Sequence, residues 1–127
     1  MAEPKVDQSI IDMLNLVLTG DVHSSWAIEV PRDPRDHGVY DPATGRGALA
    51  VEFVTPGISS PGPVAPAEAD RAARRVLDDN PNVRWVELTR RGYALLDLDH
   101  ERVQCDWFHV DTVRKPSRRE RFAAGYR

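Results

Sequence analysis

Asn15-Leu-Val-Leu-Thr-Gly-Asp-Val-His-Ser-Ser-Trp26 is the stretch that decides how this chain is read. The apolar run Leu16-Val17-Leu18 predicts a buried strand. It stops at Gly20, and Asp21 and His23 follow at once. In sheets of α/β proteins, ligands bind beyond the carboxyl ends of the strands. A carboxylate and an imidazole two positions apart at such an end can converge on one metal or one substrate, since both are metal-ligand types. A turn aspartate beside a hydrogen-bonded histidine is the plainer reading of the same residues, and the motif alone leaves both open.

The chain has 127 residues, enough for one domain with a modest core. Hydrophobic residues make up 41% and charged residues 29%, as in ordinary globular proteins. The net charge of −3 supplies no global field that favours nucleic acid. A single cysteine, Cys105, excludes an internal disulfide framework. No apolar run approaches the length of a transmembrane helix. The first residues, Met-Ala-Glu-Pro-Lys-Val-Asp-Gln, lack the apolar segment of a signal peptide.

Outward from the opening stretch, Val6, Ile10, Met13 and Leu14 recur at helical spacing and predict a short amphipathic helix over 4–14. Residues 26–30 read as extended. Residues 31–47 hold three prolines, three aspartates and three glycines, and read as a surface loop. Ala-Leu-Ala-Val-Glu-Phe-Val-Thr (48–55) predicts a second buried strand, and 56–66 an irregular segment. Ala69, Ala72, Ala73, Val76 and Leu77 mark one face of a helix over 66–79 that Asn80-Pro81 stops. Strands are then expected at 84–88, 93–98 and 103–110, joined by short turns into an antiparallel meander. The last stretch, 114–127, carries six Lys or Arg and reads as a basic flexible tail after a domain at 1–113.

Laid out in order, the chain resembles the C-terminal part of the PhoD-like alkaline phosphatases, of the calcineurin-like metallophosphatase superfamily. The resemblance rests on Leu-Thr-Gly-Asp-Val-His-Ser-Ser-Trp (18–26), Ala-Val-Glu-Phe-Val-Thr-Pro-Gly-Ile-Ser-Ser-Pro-Gly (50–62), Asn-Pro-Asn-Val-Arg-Trp-Val-Glu-Leu (80–88), Arg-Gly-Tyr-Ala-Leu-Leu-Asp-Leu (91–98) and Asp-Trp-Phe-His-Val-Asp-Thr-Val (106–113). It implies an α/β (α+β) fold: the C-terminal half of a metallophosphatase-type β-sandwich flanked by helices, ending in an antiparallel meander. It implies hydrolysis of phosphate mono- and diesters with Fe³⁺ and Ca²⁺, and members that are often exported. The family motif Gly-Asp-x-His falls on Gly20, Asp21 and His23, so these positions take the metal-site role, Asp21 and His23 as ligands. Paired cations would polarise a phosphoryl oxygen for in-line attack, and hard carboxylate oxygens suit Ca²⁺ and Fe³⁺.

The departures from the family pattern are large. Its earlier ligand motifs, of the types Asp-x-Cys or Asp-x-His, Gly-Asp-x-x-Asp and Gly-Asn-His-Asp, have no counterpart here. Cys105 lies in a late strand and cannot replace an N-terminal ligand. The junction at Leu14-Asn15 is also short. The chain is therefore expected to be a C-terminal fragment, inactive alone, that holds no metal tightly and associates through exposed Trp, Leu and Val faces. The competing expectation is a non-catalytic interaction domain derived from the same family.

Other residues carry weaker chemistry. Ser24 and Ser25 adjoin His23, but without an orienting third group they read as strand-edge hydroxyls bonded to backbone rather than nucleophiles. His37 and His100 read as solvated. His109 alternates with Cys105 and Trp107 on one strand face and reads as packed. Trp85, Trp107 and Phe108 are core candidates, since no basic platform makes them a base-stacking surface. Lys115, Arg118, Arg119 and Arg121 read as a solvated end.

Overall fold

The computed structural model describes residues 15–127. The helix expected over 4–14 lies outside them. Among the described residues, seven strands form two sheets. The first sheet takes β1 (Asn15–Thr19), β2 (Ser25–Pro31), β3 (Ala48–Val54) and β4 (Val83–Glu87) in the order β1-β3-β2-β4. The second takes β5 (Gly92–Leu98), β6 (Val103–Val110) and β7 (Glu120–Tyr126) in that order. A 3₁₀ turn at Pro66–Glu68 leads into one α-helix, α1 (Ala69–Asp79), which packs against β4. The mixed fold with two sheets, a short helix and an antiparallel meander is the one expected.

The β-branched and aromatic content of β3 suits a central strand. It pairs parallel with β1, in the register Val17↔Glu52, and antiparallel with β2, in the register Ala27↔Phe53. The helix ends as the sequence requires. Both the backbone N–H and Nδ2 of Asn80 donate to the carbonyl of Val76, at 3.1 and 2.8 Å, and Pro81 follows.

The two sheets face each other across Ala27, Phe53, Cys105 and Trp107. Trp107 is fully buried, and its Nε1 donates to the carbonyl of Val54 at 2.9 Å, which ties the second sheet to the first. Its ring meets Phe53 edge-on at 5.5 Å and Trp85 at 5.1 Å. Each such pair contributes about 0.5–1.5 kcal/mol beyond area burial.

Four expectations need correction. The β1 strand is not buried: Val17 and Leu18 are 41% and 54% exposed. Among the described residues it has a neighbour on one side only, and an apolar run reads the same whether one side or both are covered. The strand at 84–88 is not part of the meander, because β4 pairs with β2 in the other sheet. The meander's third strand comes instead from the expected flexible tail. Here β7 pairs with β6, Trp107 opposite Ala124, and Ala123, Ala124 and Tyr126 pack on the core. Small alanines beside a fully buried tryptophan leave the indole its room, a role that the charge density of 114–121 conceals. Finally, the tryptophans are not exposed faces. Trp107 is buried and Trp26 and Trp85 half-buried, whereas Phe108 lies with Tyr93 and Phe122 on the outer side of the second sheet.

The loop at 31–47 is ordered by its aspartates. Asp33, Asp36 and Asp41 each accept a backbone N–H two residues on, from Arg35, Gly38 and Ala43 at 2.9, 2.8 and 2.9 Å. Gly47 has φ +93°, and a Cβ there would lie 1.8 Å from the carbonyl of Val39, so only glycine closes this loop. The result buries Tyr40, whose hydroxyl donates to Glu29 at 2.5 Å.

Candidate metal-ligand turn

After Thr19 the chain leaves β1 through a hydrogen-bonded turn, with the His23 N–H donating to the carbonyl of Gly20 at 3.1 Å. Gly20 sits against β3: an added Cβ would come within 3.0 Å of the Thr55 hydroxyl oxygen. Thr55 in turn donates its N–H to the carbonyl of Thr19 at 2.9 Å. His23 has φ +54° and is the one non-glycine in the left-handed region among the described residues. Left-handed backbone in a residue with a Cβ costs on the order of 1–3 kcal/mol and concentrates at functional sites. Asp21 and His23 are both exposed, and neither side chain has a hydrogen-bond partner among the described residues.

Directly below the turn the chain becomes fully buried. Ser24 and Ser25 are both 0% exposed. Trp26 Nε1 donates to Ser24 Oγ at 2.7 Å, and Ser24 Oγ donates to the carbonyl of Val22 at 3.4 Å. Ser25 Oγ lies 3.1 Å from His109 Nε2. His109 is 3% exposed, as its strand-face position predicts, and stacks on Trp85 at 6.2 Å. Burial pushes its pKa below the ordinary value of 6.5; the Arg121 and Arg90 charges push the same way and Glu87 opposes them.

The Ser25–His109 contact corrects the expectation that both serines bond only to backbone. The two residues are 84 positions apart, so no local spacing could have announced the pair. It has the reach of a nucleophile and base, but both groups are sealed from substrate. The arrangement supports the strand beneath the turn. His37 and His100 are exposed.

The donor chemistry of Asp21 and His23 fits a hard cation, but the donor count does not fill a centre. Among the described residues no group of three or more His, Cys, Asp or Glu side chains converges. A single catalytic cation already takes roughly three protein donors. Cys105 adds none: burial, then Asp106, pushes its thiol up to about 12, and it sits in the core. Among the described residues no helix is long and apolar enough to cross a membrane.

Residues 8–107 match the family described as PhoD-like phosphatase. A solved structure of PhoD is similar over 88% of this chain, at 28% identity and a TM-score of 0.69. The chain spans 20% of that structure's own length. No curated protein matches the chain.

Proposed function

Because the chain belongs to the PhoD-like phosphatase family, we propose that it contributes Asp21 and His23 as metal ligands to a phosphate-ester hydrolase. The remaining donors come from the family's earlier ligand motifs, which have no counterpart in this sequence. The observation that carries this reading is the exposed Gly20–His23 turn at the carboxyl end of β1, with its left-handed histidine. The centre would take Fe³⁺ and Ca²⁺, and the substrates would be phosphate mono- and diesters. In this reading Asp21 and His23 are the donors and Gly20 permits the close approach to Thr55. Ser24, Ser25 and His109 hold the strand beneath. The chain by itself is inactive and self-associates through exposed β1 and the outer face of the second sheet, where Tyr93, Leu95 and Phe122 are 38%, 56% and 59% exposed.

The test is reconstitution. The N-terminal portion of a close PhoD-like enzyme is fused ahead of this chain or supplied with it, and aryl phosphodiester hydrolysis is followed with iron and calcium present. Asp21→Ala and His23→Ala should each lower the rate by about a hundredfold or more, ~3 kcal/mol of transition-state stabilisation. Ser24→Ala and His109→Ala should cost much less. A rate that survives both ligand substitutions removes the turn from the site. A second reading, a non-catalytic interaction domain, is favoured by the incomplete donor set. It gains if the reconstituted protein folds and stays inactive.

A further inference from the structure

Three arginines gather at the same end of the sandwich as the Gly20–His23 turn. Arg90 and Arg91 connect β4 to β5, and Arg114 follows β6. The shared end follows from the pairing. Ser25 lies opposite Glu87, Gly92 opposite His109, and the Gly92 N–H donates to the carbonyl of Gly57, just beyond Thr55.

Arg91 is held in place. Its Nε donates to the carbonyl of Ser60 at 3.1 Å and its Nη1 to that of Thr89 at 3.3 Å. Its Nη2 has no protein partner among the described residues, and neither do the side chains of Arg90 and Arg114. Arg91 and Arg114 line a cleft of about 430 Å³ whose wall includes Pro61, Pro63 and Pro66. No carboxylate lines it. A neighbouring groove of about 370 Å³ shares Pro66, Thr89 and Arg91, and adds Arg90, Glu87 and Asp70.

The nearby acids lie outside the cleft wall. Both Glu87 oxygens already accept hydrogen bonds, one from the Thr89 N–H and hydroxyl and the other from the Arg90 N–H. Asp111 lines a small cavity with Arg90 and Arg91, and Asp70 lines the neighbouring groove.

A guanidinium pinned on two of its nitrogens loses little freedom when its third meets an oxyanion. Such charge-assisted bonds are strong, and a dianion can engage both arginines together. A wall of prolines is apolar and stiff, and suits the organic part of an ester.

We propose that the Arg91–Arg114 cleft is a subsite for a phosphate-type oxyanion, separate from the Asp21–His23 turn. Resting on the hydrolytic reading, its occupant is a second phosphate group of the ester or the released phosphate. Arg91 is a binding residue here, and Arg114 supplies the second charge.

The experiment needs no metal and no activity. The 127-residue chain, in metal-free buffer, is titrated with inorganic phosphate and with phenyl phosphate by NMR or calorimetry. Both should bind saturably. Phenyl phosphate binding more tightly assigns the cleft to an organic phosphate, and inorganic phosphate binding more tightly assigns it to free phosphate. Arg91→Gln and Arg114→Gln should each weaken binding by about tenfold. Arg114 has no side-chain partner to lose, so its variant tests the site without disturbing the fold. Asp21→Ala should leave binding unchanged. Absence of saturable binding, affinity in both arginine variants equal to that of the unaltered chain, or loss of binding in Asp21→Ala instead would each overturn the subsite. Reconstituted hydrolysis can fail while this binding succeeds, so the two readings fail separately.

Discussion

At one end of the sandwich Glu29, Tyr40, Arg84 and Tyr126 close on one another; at the other, Asp21 and His23 stand exposed with no side-chain partner among the described residues. At the closed end Arg84 Nε donates to the Tyr126 hydroxyl at 2.8 Å and lies 3.7 Å from Glu29 Oε1, while Nη1 donates to the carbonyl of Pro42. Burial, followed by the bond and charge of Glu29, pushes the Tyr40 hydroxyl up to about 12. These groups join β2, β4, β7 and the 31–47 loop. Their polar valences are spent on one another, as expected of groups whose task is cohesion. The open end leaves the Asp21 and His23 side chains without partners among the described residues and accepts left-handed backbone at His23. The difference teaches that the same side-chain types, a carboxylate and a cationic or imidazole group, are satisfied or left unpaired according to where the fold places them.

The largest effect expected on stability lies at the closed end. Arg84→Ala removes two hydrogen bonds and leaves Glu29, whose side chain is 15% exposed, without its cation. A loss of about 2 kcal/mol should follow in denaturant unfolding. A change within about 0.5 kcal/mol would mean that the closed end is not a clamp.

The next effect concerns the buried support of the open end. His109 has its pKa depressed by burial, so the unfolded chain binds the proton more readily than the folded one. Stability from this group is complete above 6.5, its ordinary value, and is lost as pH falls below it toward the lower folded value. His109→Gln should flatten that part of the stability–pH curve. An unchanged slope in the variant would assign the dependence to other groups.

The smallest effect tests the strain itself. His23→Gly should leave stability unchanged or raise it by up to about 1 kcal/mol, because glycine enters the left-handed region without penalty. Clear destabilisation of the glycine variant would show that the imidazole holds the turn together, and that the open end is built like the closed one.

Much of this was legible in the residues. Alternation in 103–110 marked β6 and its inward face, and the Ala and Val spacing marked the helix. Gly-Asp-x-His marked the turn, in company with four further matching stretches. The misplacements share one cause. Strand partners are set by contacts far apart in sequence, so a run of short strands reads as a meander even when its first member turns back to the other sheet. For the same reason the pairing of Ser25 with His109 left no trace in local spacing.

By itself, then, the sequence determined the family, the existence of nearly every described strand and of the helix at Ala69–Asp79, and the position of the Gly20–His23 turn, because hydrophobic period and turn chemistry act over a few residues. Only the tertiary structure decided which strands are neighbours and that 120–126 completes a sheet. It alone revealed that Ser25 meets His109, that Arg84 locks one end, and that Arg91 and Arg114 share a cleft. Each of these depends on where distant segments meet in space, and burial there decides whether a polar group is satisfied or left free to bind.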